Sequence, residues 1–216
     1  MEPRTFAPLD RVLGEIDKAI RVLAAPARAA RMAPPPSAAA AADKDLDEAE
    51  RQRSCRLMRV NHAGEVAAQA LYQGQALSAG DPGVAAAMRR AAAEEADHLA
   101  WCESRLRELG GRTSILNPLW YLGSFALGAL AGALGDRVSL GFIVETERQV
   151  ESHLRDHLER LPAADLRSRA ILEQMKHDET GHAATSAALG GSDLPLVVRA
   201  AMRLSSRLMT RTSYWA

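Results

Sequence analysis

Two short motifs place a glutamate three residues before a histidine: Glu95-Ala-Asp-His98 and Glu179-Thr-Gly-His182. On a helix, residues three apart stack on one face, so each pair can reach a single ion. A further glutamate precedes each motif, Glu65 before the first and Glu147 before the second. Glu147, Glu179 and His182 follow Glu65, Glu95 and His98 by 82, 84 and 84 residues, offsets that agree within less than one helical turn. Such matched spacing indicates an internal duplication. Four carboxylates and two imidazoles on four helices form a ligand set for a pair of iron or manganese ions. Two divalent ions would neutralise the four carboxylates with both histidines uncharged. Structural zinc favours cysteine and histidine, and Cys102, one turn beyond His98, is a lone thiol. One imidazole per ion leaves coordination positions open, which suits a reaction with dioxygen.

For this chemistry the ligands must face inward, and the surrounding pattern agrees. Glu65 sits in a stripe with Leu57, Met58, Asn61, Ala68 and Tyr72. Glu95 and His98 lie in line with Val84, Met88, Ala91, Cys102 and Leu106. Glu147 follows Leu140 and Ile143 and precedes Val150 and Leu154, and Glu179 and His182 continue a stripe from Leu172 and Met175. Burying these charges without compensation would cost several kcal/mol each, of order 5. Glu94, Asp97, Glu145 and Asp178 fall on other faces, where solvation is expected. His153, six residues after Glu147, is a candidate to contact substrate or a ligand, and equally a structural histidine. Tyr72 is expected to pack in the core or line the same pocket. His62, His157 and His177 are expected at the surface or behind the ligands.

The chain of 216 residues is long enough for one domain with a sizeable core and a tail. Its net charge of zero gives no electrostatic case for binding nucleic acid. Two cysteines do not make a disulfide scaffold, and buried free thiols in a reducing compartment are expected. The N-terminus has no apolar signal core, and acids at Glu2, Asp10, Glu15 and Asp17 argue against a transit peptide. Abundant alanine and the lack of strand alternation indicate an all-α fold. Helical spacing covers 9–24, 44–79, 84–109, 136–160 and 165–189. Residues 25–43 are rich in alanine and proline and read as a linker, so 1–43 divides from a metal-binding domain at 44–216, with the former partly disordered.

Residues 113–135 carry no charge over 23 positions, a length that could span a bilayer. A single crossing would put Glu65, Glu95 and His98 on one side and their counterparts on the other. The segment must therefore return, as the crossover that a bundle of two helix pairs requires. Ser124, Gly128 and Gly132 repeat at four and offer a face for close packing, with Trp120 and Tyr121 placed for lipid contact. Near the end, Arg199, Arg203, Arg207 and Arg211 form a basic stripe beside Leu196, Ala200, Leu204 and Leu208. This cationic amphipathic helix suits an anionic membrane surface, or a cap on the bundle with its arginines in water.

Several stretches resemble the demethoxyubiquinone hydroxylase family, in its bacterial form. They are Arg59-Val-Asn-His-Ala-Gly-Glu65, Ala70-Leu-Tyr-Gln-Gly-Gln75, Glu95-Ala-Asp-His-Leu-Ala-Trp101, Glu145-Thr-Glu-Arg-Gln-Val150 and Asp178-Glu-Thr-Gly-His182. The likeness covers roughly residues 50–216. It implies a ferritin-like four-helix bundle with an apolar crossover helix and a C-terminal amphipathic helix. Two iron ions (Fe2+/Fe3+) would be held by Glu65, Glu95 and His98 in one half and Glu147, Glu179 and His182 in the other, with Glu95 and Glu179 bridging. The implied reaction is O2-dependent hydroxylation of the ring of a polyprenyl 3-methyl-6-methoxy-1,4-benzoquinol in ubiquinone biosynthesis. NADH or the quinol itself would supply electrons, and other ubiquinone-biosynthesis proteins are candidate partners. The implied location is peripheral, on the cytoplasmic face of the bacterial cell membrane. Two other classes use the same features: a ferroxidase or iron-storage protein forming a shell, and a quinone carrier without catalysis.

Overall fold

A computed structural model describes residues 8–34 and 46–216. Seven α-helices, with no strand among the described residues, run in the order α1 (Pro8–Ala24), α2 (Glu48–Ser78), α3 (Pro82–Glu108), α4 (Asn117–Ala133), α5 (Asp136–Arg160), α6 (Leu166–Ala188) and α7 (Leu196–Ser213). Local chemistry sets the boundaries of the main helices. Asp47 starts α2 with a capping box closed by Glu50. Asp81 caps α3 just before Pro82, and Asp165 caps α6 through the Ser168 N–H. A left-handed Gly110 ends the α3 turn.

Helices α2, α3, α5 and α6 form a ferritin-like bundle, as two hairpins α2–α3 and α5–α6. One end of its interior is sealed by Leu57, Met58, Trp101, Leu106, Leu154, Leu172 and Met175. The other is sealed by Tyr72, Met88, Leu140 and Ile143. The metal-ligand candidates lie between these two apolar layers. At the sealed end, buried Arg105 donates to Asp165 at 2.7 Å and Ser168 at 2.9 Å, joining α3 to the start of α6.

Helix α4 is the crossover, and it lies along α2 at backbone contact. A Cβ on Gly128 would stand 2.2 Å from the Leu71 carbonyl oxygen, and one on Gly132 would stand 2.1 Å from Ser78 Oγ. Gly128 and Gly132 are therefore in the seam between α2 and α4, while Ser124 lines a cavity. The helix has 17 residues, and no helix among the described residues is long and apolar enough to cross a membrane. Its outer face exposes Leu119, Leu122, Leu127 and Leu130.

Helix α7 packs on α5 and α2, but not by its leucine stripe. Leu196, Leu204 and Leu208 are exposed. Arg199 turns inward and meets Glu145 of α5 at 2.9 Å. Helix α1 packs through Ala19, Val22 and Leu23 against Val66, Ala70, Leu99 and Tyr121. Its Leu13, Ile16 and Ile20 remain about half exposed. The stretch after α1 is held along α3 as far as Arg31: the Ala27 N–H donates to Glu103, and the Ala30 and Arg31 N–H groups donate to Asp97. The expected disorder of the rest, residues 35–43, lies outside the described residues.

Candidate metal centre

Glu65 on α2, Glu95 and His98 on α3, Glu147 on α5, and Glu179 and His182 on α6 converge in the middle of the bundle. The four carboxylates are all but sealed from solvent, and His98 is fully buried. His98 Nδ1 lies 3.0 Å from Glu95 Oε2, 3.2 Å from Glu179 Oε1 and 3.6 Å from Glu65 Oε2. His182 Nδ1 lies 3.0 Å from Glu179 Oε2 and 3.2 Å from Glu95 Oε1. Each of Glu95 and Glu179 thus turns one oxygen to each histidine. Two overlapping sets result, Glu65–Glu95–His98–Glu179 and Glu95–Glu147–Glu179–His182, with donor atoms within 4.8 Å of one another in each. The shared glutamates sit between the two sets, where bridging carboxylates between two ions would stand.

The electrostatics of this cluster call for imported positive charge. Burial, and then the neighbouring Glu95, pushes the Glu65 carboxyl well above its ordinary range. Burial, then Glu179 and Glu95, does the same to Glu147. Burial opposes a charged imidazole at His182, yet hydrogen bonds with Glu179 and Glu95 outweigh it and push its pKa up to about 12. His98 is raised in the same way, burial being overcome by Asp178, Glu179, Glu65 and Glu95. Glu65, Glu147 and both histidines are thus held toward their protonated forms. Even so, Glu65 Oε2 is buried with no hydrogen-bond partner. Oxygen-rich donors, one imidazole per set and an orphaned carboxylate oxygen fit a pair of divalent cations.

Other residues singled out by sequence also meet the cluster. The Tyr72 hydroxyl donates to Glu147. His153 borders a small cavity beside Glu65, Glu147 and Glu179, and its Nε2 is buried without a partner. Its ring lies 3.8 Å, centroid to centroid, from that of His157. Cys102 is buried against Met175 and joins neither donor set.

Several expectations fail here. Asp97 and Glu145 are buried rather than solvated, Asp178 is largely so, and only Glu94 keeps a half-exposed side chain. The reason is long-range pairing: Asp97 and Asp178 share Arg31, and Glu145 takes Arg199. His62 and His157 are core residues hydrogen-bonded to Asn117 and Asn61. Sequence reasoning also missed what holds the far side of each imidazole. His98 Nε2 meets Asp178 Oδ2 at 3.0 Å, and His182 Nε2 meets Glu94 Oε2 at 2.6 Å. Each comes from the opposite hairpin and orients a ring so that Nδ1 faces the cluster. The available signal was the acid immediately before each shared glutamate, Glu94-Glu95 and Asp178-Glu179.

A family profile described as "Ubiquinone biosynthesis protein COQ7" matches residues 52–213. Three similar proteins are each named 3-demethoxyubiquinol 3-hydroxylase. That of Azoarcus sp. (strain BH72) is 56% identical over 95% of this chain and 98% of its own length. The Bordetella pertussis protein is 56% identical over 98% and 95%, and the Nitrosomonas europaea protein 55% identical over 96% and 98%. The profile takes in all six converging side chains, and the relatives match from end to end, so the chain belongs to the COQ7 family of ubiquinone-biosynthesis proteins.

Proposed function

We propose that this protein is a di-iron monooxygenase that hydroxylates the ring of a polyprenyl 3-methyl-6-methoxy-1,4-benzoquinol, demethoxyubiquinol. The observation that carries the reading is the pair of shared carboxylates, Glu95 and Glu179, each facing both histidines. Glu65 and His98 complete one donor set, and Glu147 and His182 the other. Iron held by these residues would supply the redox chemistry for reaction with dioxygen. The reaction balances as quinol, O2, two electrons and two protons giving the ring C–OH and water. The electrons come from NADH or from the quinol itself, the hydroxylated product then leaving as the quinone.

The chain's own residues bind and orient the substrate. An apolar cavity of about 360 Å³ opens between α4 and α7, lined by Leu71, Leu119, Leu127, Phe142, Val150 and Met209. Through Gly64, Ala68 and Val150 it adjoins the smaller cavity of about 40 Å³ bounded by Glu65, Glu147 and Glu179. An aromatic head entering by this route reaches the carboxylates while its prenyl tail stays on apolar walls. A larger groove of about 860 Å³ between α5 and α7 is lined by arginines and polar groups, which suit no prenyl chain. His153 stands beside the inner cavity with Nε2 free. Burial pulls its pKa down to about 4, so the ring is neutral at pH 7 and its Nε2 can accept a hydrogen bond from a quinol hydroxyl. Tyr72 holds Glu147 in place through its hydroxyl.

The substrate is insoluble in water, and the exposed Leu119, Leu127 and Leu208 around the cavity mouth suit contact with lipid. The protein accordingly works as a peripheral protein at the cytoplasmic face of the membrane, taking quinol from the bilayer. The test is aerobic incubation of iron-loaded protein with reductant, demethoxyubiquinol and ¹⁸O2, followed by mass analysis. A product heavier by one labelled oxygen, lost in Glu179→Ala, is expected. Unchanged quinol with both ions retained would overturn the reading in favour of iron storage.

A further inference from the structure

We infer that residues 26–34 form a strap that makes the two halves of the centre unequal, so that a metal ion leaves the His98 half more slowly than the His182 half. This rests on the reading of the cluster as a two-metal site. The two halves are alike in their donors and differ in what stands behind each imidazole.

Behind His98, Asp178 is held from three sides. Its Oδ2 lies 3.0 Å from His98 Nε2 and 3.0 Å from Arg31 Nη1, and its Oδ1 accepts from Gln174 at 2.8 Å. Arg31 is itself fixed. Its Nε donates to Asp97 Oδ2 at 2.7 Å, and the backbone N–H groups of Ala30 and Arg31 donate to Asp97 Oδ1 at 2.6 and 3.2 Å. Trp101 Nε1 donates to the Arg31 carbonyl at 3.0 Å, and the guanidinium lies 5.1 Å from the Trp101 ring centroid. The same indole is 5.3 Å from the His98 ring. Behind His182 stands Glu94 alone. Its side chain is 50% exposed, and no basic side chain pairs with it among the described residues.

To release its ion, a histidine ligand must swing its ring away, and the acid on its far nitrogen must follow or lose its partner. Glu94 is free to follow into water. Asp178 cannot move without parting from Arg31, and Arg31 cannot move without unseating the strap from Asp97 and Trp101. Partners of this kind change metal affinity by about 10–100-fold when removed.

The experiment loads the full-length protein with two Mn²⁺ and follows release into excess chelator by rapid mixing. Wild type should give two phases of equal amplitude. Arg31→Met should accelerate the slow phase by about tenfold or more and leave the fast phase alone. Arg31→Lys, which keeps the charge but loses the fork that reaches two carboxylates, should fall between them. Asp97→Asn loosens the strap from its other end and should act in the same direction, so the test does not depend on one variant folding. In the Co²⁺-loaded protein, the shifted, exchangeable imidazole N–H of His98 should exchange with solvent faster in Arg31→Met, while that of His182 stays unchanged. A single phase in wild type, unchanged phases in Arg31→Met, or equal acceleration of both would each overturn the inference. Failure to bind any metal would instead overturn the two-metal reading beneath it.

Discussion

His62 offers a pH test whose size follows from its surroundings. It lies on α2, is 5% exposed, and its Nδ1 stands 3.3 Å from the side-chain amide of Asn117, the first residue of α4. That contact needs a neutral ring accepting from the amide. Burial pulls its pKa from 6.5 down to about 4. As pH falls below 6.5 the unfolded chain takes up a proton that the folded chain refuses, so folded stability is lost between about pH 7 and pH 4. Above pH 7 the group contributes nothing to the pH dependence. At 1.36 kcal/mol per pKa unit the loss is about 2 kcal/mol at pH 5 and about 3 kcal/mol below pH 4. His62→Gln keeps an acceptor for Asn117 and removes the titration. Stabilities of wild type and variant would be measured by urea unfolding at pH 7.5 and 5.0. Whatever glutamine costs at pH 7.5, the difference should move about 2 kcal/mol in the variant's favour at pH 5.0. Other titrating groups are common to both proteins and cancel. A difference that stays constant across the two pH values would refute the argument.

Three further outcomes follow from the geometry. Gly128→Ala drives a methyl into the Leu71 carbonyl and should cost about 1–3 kcal/mol, read as a melting temperature lower by several degrees. Arg105→Met leaves the Asp165 carboxylate buried without its partner and should cost about 3–5 kcal/mol in chemical unfolding; adding Asp165→Asn should recover part of it, and no recovery would show that the ion pair is not the cause. Metal loading at pH 7 should release protons, because His98 and His182 hold them in the metal-free cluster and must give them up to bind through Nδ1. Calorimetry in buffers of different ionisation enthalpy measures this release, affinity should rise with pH, and heats independent of buffer would contradict it.

The bundle and its six inward side chains could be read from sequence because helical periodicity and a duplicated spacing are local signals. What escaped was decided by partners far along the chain. Asp97 and Asp178 looked solvated because neither has a lysine or arginine three or four residues away on its helix, yet Arg31 reaches both. Residues 26–34 looked like a free linker because composition describes side chains, whereas much of the docking comes from the backbone N–H groups of Ala27, Ala30 and Arg31. The amphipathic pattern of α7 was plain, but its orientation was not. Pairing of Arg199 with buried Glu145 turns the basic side partly inward and leaves Leu204 and Leu208 outside. Hydrophobicity alone would have chosen the reverse.

Because Glu95 and Glu179 come from different hairpins, neither half of the chain can grip a pair of cations by itself. Retention of both ions then certifies that the two hairpins have met in the correct register. A finished bundle deprived of them keeps four crowded acids at its centre and forgoes the stabilisation that mass action would add. With two cations binding as proposed, molecules lacking them would open more readily, and the survival of the protein would follow cation supply.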